Sequence, residues 1–111
     1  MHCPPAVVIG GRRVELTNCL PKAREDWSPE LASLLAEVNG LRLDEEALRV
    51  VKFVRGFWLE NGACPPASII EEELGVDRGR LMQTFRNYDV LCVLAGAEPP
   101  SGCLSKVLSQ V

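Results

Sequence analysis

Between Asp44 and Gly62 the apolar residues Ala47, Val51, Val54 and Trp58 recur at intervals of three and four, and Val50, Phe53 and Phe57 widen the row. A stripe this broad needs cover on most of its circumference, so the segment is expected as a central, largely buried helix around which the remainder packs. Asp44 is a suitable N-cap, with Leu43 and Leu48 at the positions of a hydrophobic staple, and Asn61-Gly62 stops the run. Lys52 and Arg55 are expected to snorkel from its edges. With 111 residues, 47% hydrophobic and 24% charged, the chain suffices for one domain with a modest core.

The flanking segments read as further small elements. Residues 6–16 form an expected β-hairpin, Val7 to Ile9 and Arg13 to Leu16 about Gly10-Gly11, whose glycines supply the positive φ of a tight turn. Thr17 to Asp26 reads as a connecting loop. Ser28-Pro29 opens a helix with Leu31, Leu34, Leu35 and Val38 on one face, ended by Gly40. After Cys64-Pro65-Pro66 comes a short helix with Ile69, Ile70 and Leu74, closed by Gly75. Asp77 caps another with Leu81, Met82 and Phe85, and Tyr88 to Ala95 is a last apolar segment stopped by Gly96. The expected fold is therefore mainly α, a small orthogonal bundle of about five helices with an N-terminal hairpin. Its helical domain covers 1–96, and 97–111 is expected as a flexible arm and tail.

Composition narrows the function classes. Twelve basic against fifteen acidic residues give a formal charge of −3, so bulk electrostatics draw the chain to neither nucleic acid nor a membrane surface. No apolar run is long enough to span a bilayer and the N-terminus lacks a signal-peptide pattern, which leads to an expected cytoplasmic location. A single histidine, His2, and no closely spaced cysteine pair argue against a metal site, and no cofactor is expected.

The chemistry then rests on cysteine. Of Cys3, Cys19, Cys64, Cys92 and Cys103, the last two stand out. Cys92 lies in an apolar helical run, whereas Cys103 follows Gly96, Pro99-Pro100 and Ser101-Gly102, which cannot continue a helix. Fully extended, the eleven steps between them span roughly 36 Å, yet a disulfide brings Cα atoms within about 7 Å. An arm of this kind can reach outward with Cys103 or fold back onto Cys92. Cys92 sits near the negative end of its helix, where a thiol pKa rises, so Cys103 is the better nucleophile. Cys3, Cys19 and Cys64 are expected to be structural or neutral, and thiols in a reducing compartment are more often unbridged. The competing reading makes Cys92 a core residue and Cys103 an incidental surface thiol.

A second candidate covers Ile69 to Arg86, two short helices about Gly75-Val76-Asp77 with Arg78, Arg80 and Arg86, spaced like a helix-turn-helix. Glu71-Glu72-Glu73 on the first helix opposes DNA binding, and an ordinary helical pair is the preferred reading. Arg78, Arg80 and Arg86 are instead candidates for stabilising a thiolate or persulfide anion, or for contacting a partner.

Taken together, these segments resemble the DsrC/TusE group of sulfur-relay proteins, which includes the gamma subunit of dissimilatory sulfite reductase. The resemblance is carried by the N-terminal hairpin, Asp26-Trp27, the stretch from Gly40 to Glu46, Phe53-Val54-Arg55, Pro65-Pro66, and above all Cys92-Val-Leu-Ala-Gly followed by Pro99-Pro100-Ser101-Gly102-Cys103. The two-cysteine ending is similar to the DsrC branch; TusE-like members, which serve 2-thiolation of transfer RNA, keep only the equivalent of Cys103. The resemblance implies a sulfur carrier rather than an enzyme. Cys103 would accept sulfur as a persulfide and enter a partner's channel, and Cys92 would resolve it as a disulfide or trisulfide. Expected partners are a sulfite reductase type enzyme or sulfurtransferase relay proteins, with no membrane partner. A redox-responsive DNA-binding regulator built on 69–86, and a structural subunit with passive thiols, are the alternatives.

Overall fold

The computed structural model describes residues 3–97. Its element order is β1 (Ala6–Ile9), β2 (Arg12–Thr17), β3 (Leu20–Pro21), a single 3₁₀ turn (Arg24–Asp26), then α1 (Pro29–Val38), α2 (Glu45–Asn61), α3 (Ala67–Leu74), α4 (Arg78–Phe85) and α5 (Tyr88–Leu94). The mainly helical architecture with five helices is the one expected from the sequence. Cys103 and the arm beyond Ala97 lie outside the described residues.

The strands form a three-stranded antiparallel sheet in the order β1-β2-β3. Val7 faces Val14 and Ile9 faces Arg12 about Gly10 and Gly11, whose φ values of 57° and 80° give the expected two-residue turn. The hairpin does not end there, and this corrects the expected loop from Thr17. Thr17 pairs with Leu20 across a second two-residue turn at Asn18-Cys19, where both residues take positive φ, 52° and 71°. Neither is glycine, so the sequence carries no obvious turn signal. Val14 and Leu16 alternate inward from β2 and lay the sheet on the helical core.

Side-chain caps fix the helix starts. Ser28 Oγ accepts from the Leu31 N–H at 3.2 Å and Asp44 Oδ1 from the Ala47 N–H at 2.8 Å, and the Asp77 and Asn87 side chains do the same for α4 and α5. Leu31 and Leu35 of α1 are buried as expected, while Val38, the fourth member of that row, is exposed. In α2, Ala47, Val50, Val51 and Val54 are buried and Trp58 is half-buried, so the helix is central. It packs on α1, α3 and α5; α5 in turn also meets α1 and α4. Phe85, Leu81, Leu91 and Leu94 complete the core between them. Among the described residues, no helix is long and apolar enough to cross a membrane.

Candidate functional site

The apolar helix α5 carries Cys92 into the centre of the molecule. Tyr88, Leu91, Cys92 and Leu94 are all buried, and Cys92 is 0% exposed. Cys64, on the connection between α2 and α3, is buried in the same core. Both thiols are free. Tyr88 stands one turn before Cys92 on α5 and donates its phenolic hydrogen to the Pro65 carbonyl, which places the residue after Cys64 against the same face. The Cys64 thiol hydrogen-bonds with Cys92, and this interaction, followed by burial, pushes the Cys92 thiol far above its ordinary range; Tyr88 partly offsets it by hydrogen bonding. Burial likewise raises Tyr88, with Cys92 and Cys64 adding to it. The sequence argument reached the same direction for Cys92 from the helix end, but the larger causes are a neighbouring thiol and desolvation. Cys64, expected to be structural or neutral, lies in the same core as Cys92 and was not read as its neighbour. Its contact with Cys92 spans 28 positions of sequence and has no local signature.

Helix α5 ends where the arm begins. The Gly96 N–H donates to the Val93 carbonyl and the Ala97 N–H to the Cys92 carbonyl, each at 2.9 Å, with Gly96 at φ 69°. These are the two bonds of a Schellman motif, which needs a left-handed residue at Gly96. The remaining carbonyls are taken by side chains from distant segments. Trp27 Nε1 donates to the Leu94 carbonyl at 2.9 Å, and Arg55 Nη1 to the Ala95 carbonyl at 3.2 Å. Arg55 Nη2 also donates to the Arg24 carbonyl at 2.7 Å. Its guanidinium lies 4.7 Å from the Trp27 ring and 5.8 Å from the Trp58 ring, and that of Arg24 lies 4.7 Å from Trp58.

Arg55 therefore does not snorkel to solvent as its position on α2 suggested. It folds over Trp27 because the end of α5 offers unpaired carbonyls and a negative dipole end there. Partial burial lowers its pKa, with Arg24 contributing, while the group stays cationic. A Cβ at Gly96 would lie 2.4 Å from Trp27 Cδ1 and 2.6 Å from Arg55 Nη1, so the clamp closes on bare backbone. The foot of the arm is thus fixed by residues from the 3₁₀ region, α2 and α5 together.

The three arginines singled out by sequence lie elsewhere in the fold. Arg78 forms an ion pair with Glu71 at 3.0 Å, its backbone N–H and Nε also donating to that carboxylate. Arg80 pairs with Glu46 of α2 at 3.2 Å. Arg86 is exposed, takes positive φ between α4 and α5, and extends its guanidinium over Gly40, where an added Cβ would come within 3.3 Å. Helices α3 and α4 do form the expected pair about Gly75, with Arg78 and Arg80 engaged by carboxylates.

Cys3 and Cys19 form a disulfide with Cα atoms 5.4 Å apart. The expectation that thiols in this chain stay unbridged fails for this pair. The turn at Asn18-Cys19 brings Cys19 back beside the N-terminal segment, which is itself held by the Leu16 N–H to Pro5 carbonyl bond of 2.9 Å. Among the described residues, no cluster of three or more His, Cys, Asp or Glu could hold a metal ion.

Known proteins share this fold. The family model described as DsrC like protein matches residues 10–104, a span that includes Trp27, Arg55, Cys92 and Cys103. Sulfurtransferase TusE of Escherichia coli (strain K12) is 29% identical over 87 residues, covering 74% of this chain and 80% of that protein. Sulfurtransferase TusE of Yersinia pseudotuberculosis is 33% identical over 71 residues, covering 60% and 66%. The solution structure of the DsrC/gamma subunit of dissimilatory sulfite reductase from Pyrobaculum aerophilum is similar with a TM-score of 0.72 and 32% identity, over 93% of this chain and 97% of that one. The crystal structure of the oxidized gamma-subunit, DsrC, from Archaeoglobus fulgidus shares the fold at a TM-score of 0.74 and 21% identity, over 89% and 99%. The chain belongs to the DsrC-like protein family.

Proposed function

We propose that this protein is a sulfur carrier in which Cys103 accepts sulfur and Cys92 resolves it. The observation that carries the proposal is that the family match runs from residue 10 to residue 104, through both cysteines. The clamp on Gly96 supports it by giving the arm a fixed root only seven residues before Cys103. In loading, the Cys103 thiolate attacks the outer sulfur of a donor persulfide. A new S–S bond forms, the donor's own S–S bond breaks, and the donor leaves as a thiolate. In resolution, Cys92 attacks the Cys103 Sγ, the outer sulfur departs as hydrogen sulfide, and a Cys92–Cys103 disulfide remains. No cofactor takes part, and the protein acts as a co-substrate of its partner rather than as an enzyme.

The relatives support two classes of partner. The likeness to a gamma subunit of dissimilatory sulfite reductase supports a sulfite reductase type partner, with this chain delivering or collecting sulfur. A second reading, a relay toward transfer RNA thiolation, is favoured by the TusE relatives and by the burial of Cys92. A buried, high-pKa thiol resolves slowly, so a persulfide on Cys103 lasts long enough to be handed on. Incubating the purified protein with each class of partner and following labelled sulfur distinguishes the two. Transfer to a sulfite reductase type enzyme supports the first, and transfer only to a thiolation protein supports the second. Arg78 and Arg80 would serve as partner contacts only after releasing Glu71 and Glu46, and Arg86 is the exposed cation of the three.

A further inference from the structure

The sheet has an open edge. The Leu16 N–H donates to the Pro5 carbonyl, and the register running on from it pairs Val7 with Val14 and Ile9 with Arg12. In an antiparallel ladder, alternate residues turn their backbone groups toward the partner strand and those between turn them away. Pro5, Val7 and Ile9 therefore face β2, while Ala6 and Val8 direct N–H and C=O outward, where no other strand lies among the described residues. Such edges are ordinarily blunted by a charge, a proline or a bulge, yet β1 reads Ala-Val-Val-Ile and leaves Val8 67% exposed.

Beside this edge runs a groove of about 520 Å³, lined by Val8 and Ile9 of β1 and by Pro29, Glu30, Leu34 and Glu37 of α1. Val8 and Ile9 point to opposite faces of the sheet, so a groove that touches both lies at the strand's edge. Its α1 wall is apolar at Pro29 and Leu34 and acidic at Glu30 and Glu37, and neither carboxylate has an ion-pair partner among the described residues. Glu37 stands in the last turn of α1, at the negative end of the helix dipole, where a cation stabilises and the helix supplies none.

We propose that β1 and this groove take an extended segment of a partner protein as a fourth strand, with apolar side chains on Leu34 and Val8 and a lysine or arginine against Glu30 and Glu37. Backbone bonds to Ala6 and Val8 supply the attachment, and the apolar and acidic wall selects the side chains. The surface shares no residue with Cys92 or with the clamp on α5, so it stands or falls independently of the carrier reading.

The test follows amide exchange in the full chain, free and with the capped peptide Lys-Val-Thr-Val-Thr-Val-Lys. The free protein should exchange the Val8 amide rapidly at every protein concentration while Val7 stays protected, and the peptide at about 1 mM should slow Val8 selectively. Val8→Pro, which deletes the outward N–H, and Glu37→Lys should each weaken peptide binding by about tenfold, read from amide chemical shifts of α1 in variants with native circular dichroism. A peptide with glutamate in place of both lysines should bind as weakly. A Val8 amide protected in the free chain overturns the proposal: protection that grows with protein concentration assigns the edge to a second copy, and protection independent of it to the chain's own terminal residues. A Val8 amide that the peptide leaves unprotected, or equal binding by Glu37→Lys, overturns it as well.

Discussion

Arg55 on α2 donates to the carbonyl of Ala95, 40 residues later in the chain, while its guanidinium lies 4.7 Å from the ring of Trp27. One side chain thereby ties the central helix to the last residue before the turn into the arm. The same region receives the Trp27 N–H at the Leu94 carbonyl, so α5 ends in a closed network of donors.

Replacing Gly96 by alanine should be among the most damaging single changes in the described structure. The residue has φ 69°, and the added Cβ would fall 2.4 Å from Trp27 Cδ1 and 2.6 Å from Arg55 Nη1. Left-handed strain and forced displacement together give a loss of about 2–4 kcal/mol, seen as a lower urea midpoint. An unchanged midpoint would contradict the clamp.

Trp27→Phe keeps a ring under Arg55 and removes only the indole donor. Leaving the Leu94 carbonyl short of a partner should cost about 0.5–1.5 kcal/mol. Arg55→Met removes bonds to two carbonyls and the contact with two rings, and should cost about 1–3 kcal/mol. Amide exchange at Gly96 and Ala97 should accelerate in both variants, more in Arg55→Met; equal protection in all three proteins would show that the clamp does not hold the foot of the arm.

Stability should fall as the solution becomes alkaline. The fold raises the Cys92 thiol, chiefly through the Cys64 hydrogen bond and burial, and raises Tyr88 through burial. Above about pH 8.5 the unfolded chain gives up thiol protons that the folded chain retains, so stability is full below that value and declines as pH rises toward the folded pKa values. Urea midpoints at about pH 7 and about pH 10 should differ more for wild type than for Cys92→Ala. The same difference in both would remove Cys92 from the effect.

The Cys3–Cys19 disulfide spans 16 positions and holds Cys19 in a positive-φ turn. Its reduction should cost about 3 kcal/mol on the chain-entropy account. Unfolding with and without dithiothreitol measures this, with Cys3→Ser as the control that should no longer respond to reductant.

The helices were legible because their signals are local. Ser28-Pro29, Asp44 and Asp77 cap helices through their own neighbours, and the row from Ala47 to Trp58 states its buried face directly. Strand β3 was not legible, since Asn18-Cys19 forms its turn without glycine and the disulfide that ties Cys19 to Cys3 spans 16 positions of sequence. Arg55 was read as an edge cation because nothing near it in sequence announces the carbonyls of Arg24 and Ala95. Cys64 was passed over for the same reason: its neighbour, Cys92, is brought there only by tertiary packing. Trp27 and Arg55 entered through resemblance to a family, and the geometry now gives a reason for both in the clamp on α5.

Sulfur loading of Cys103 tests the central claim most directly. Wild type, Cys92→Ser and Cys103→Ser are incubated with a persulfide donor, and intact mass is combined with peptide mapping. Wild type should take up sulfur at Cys103 and close through Cys92, Cys92→Ser should load without closing, and Cys103→Ser should not load. Uptake by Cys103→Ser at the wild-type rate, or sulfur spread evenly over all five cysteines, would contradict the carrier account.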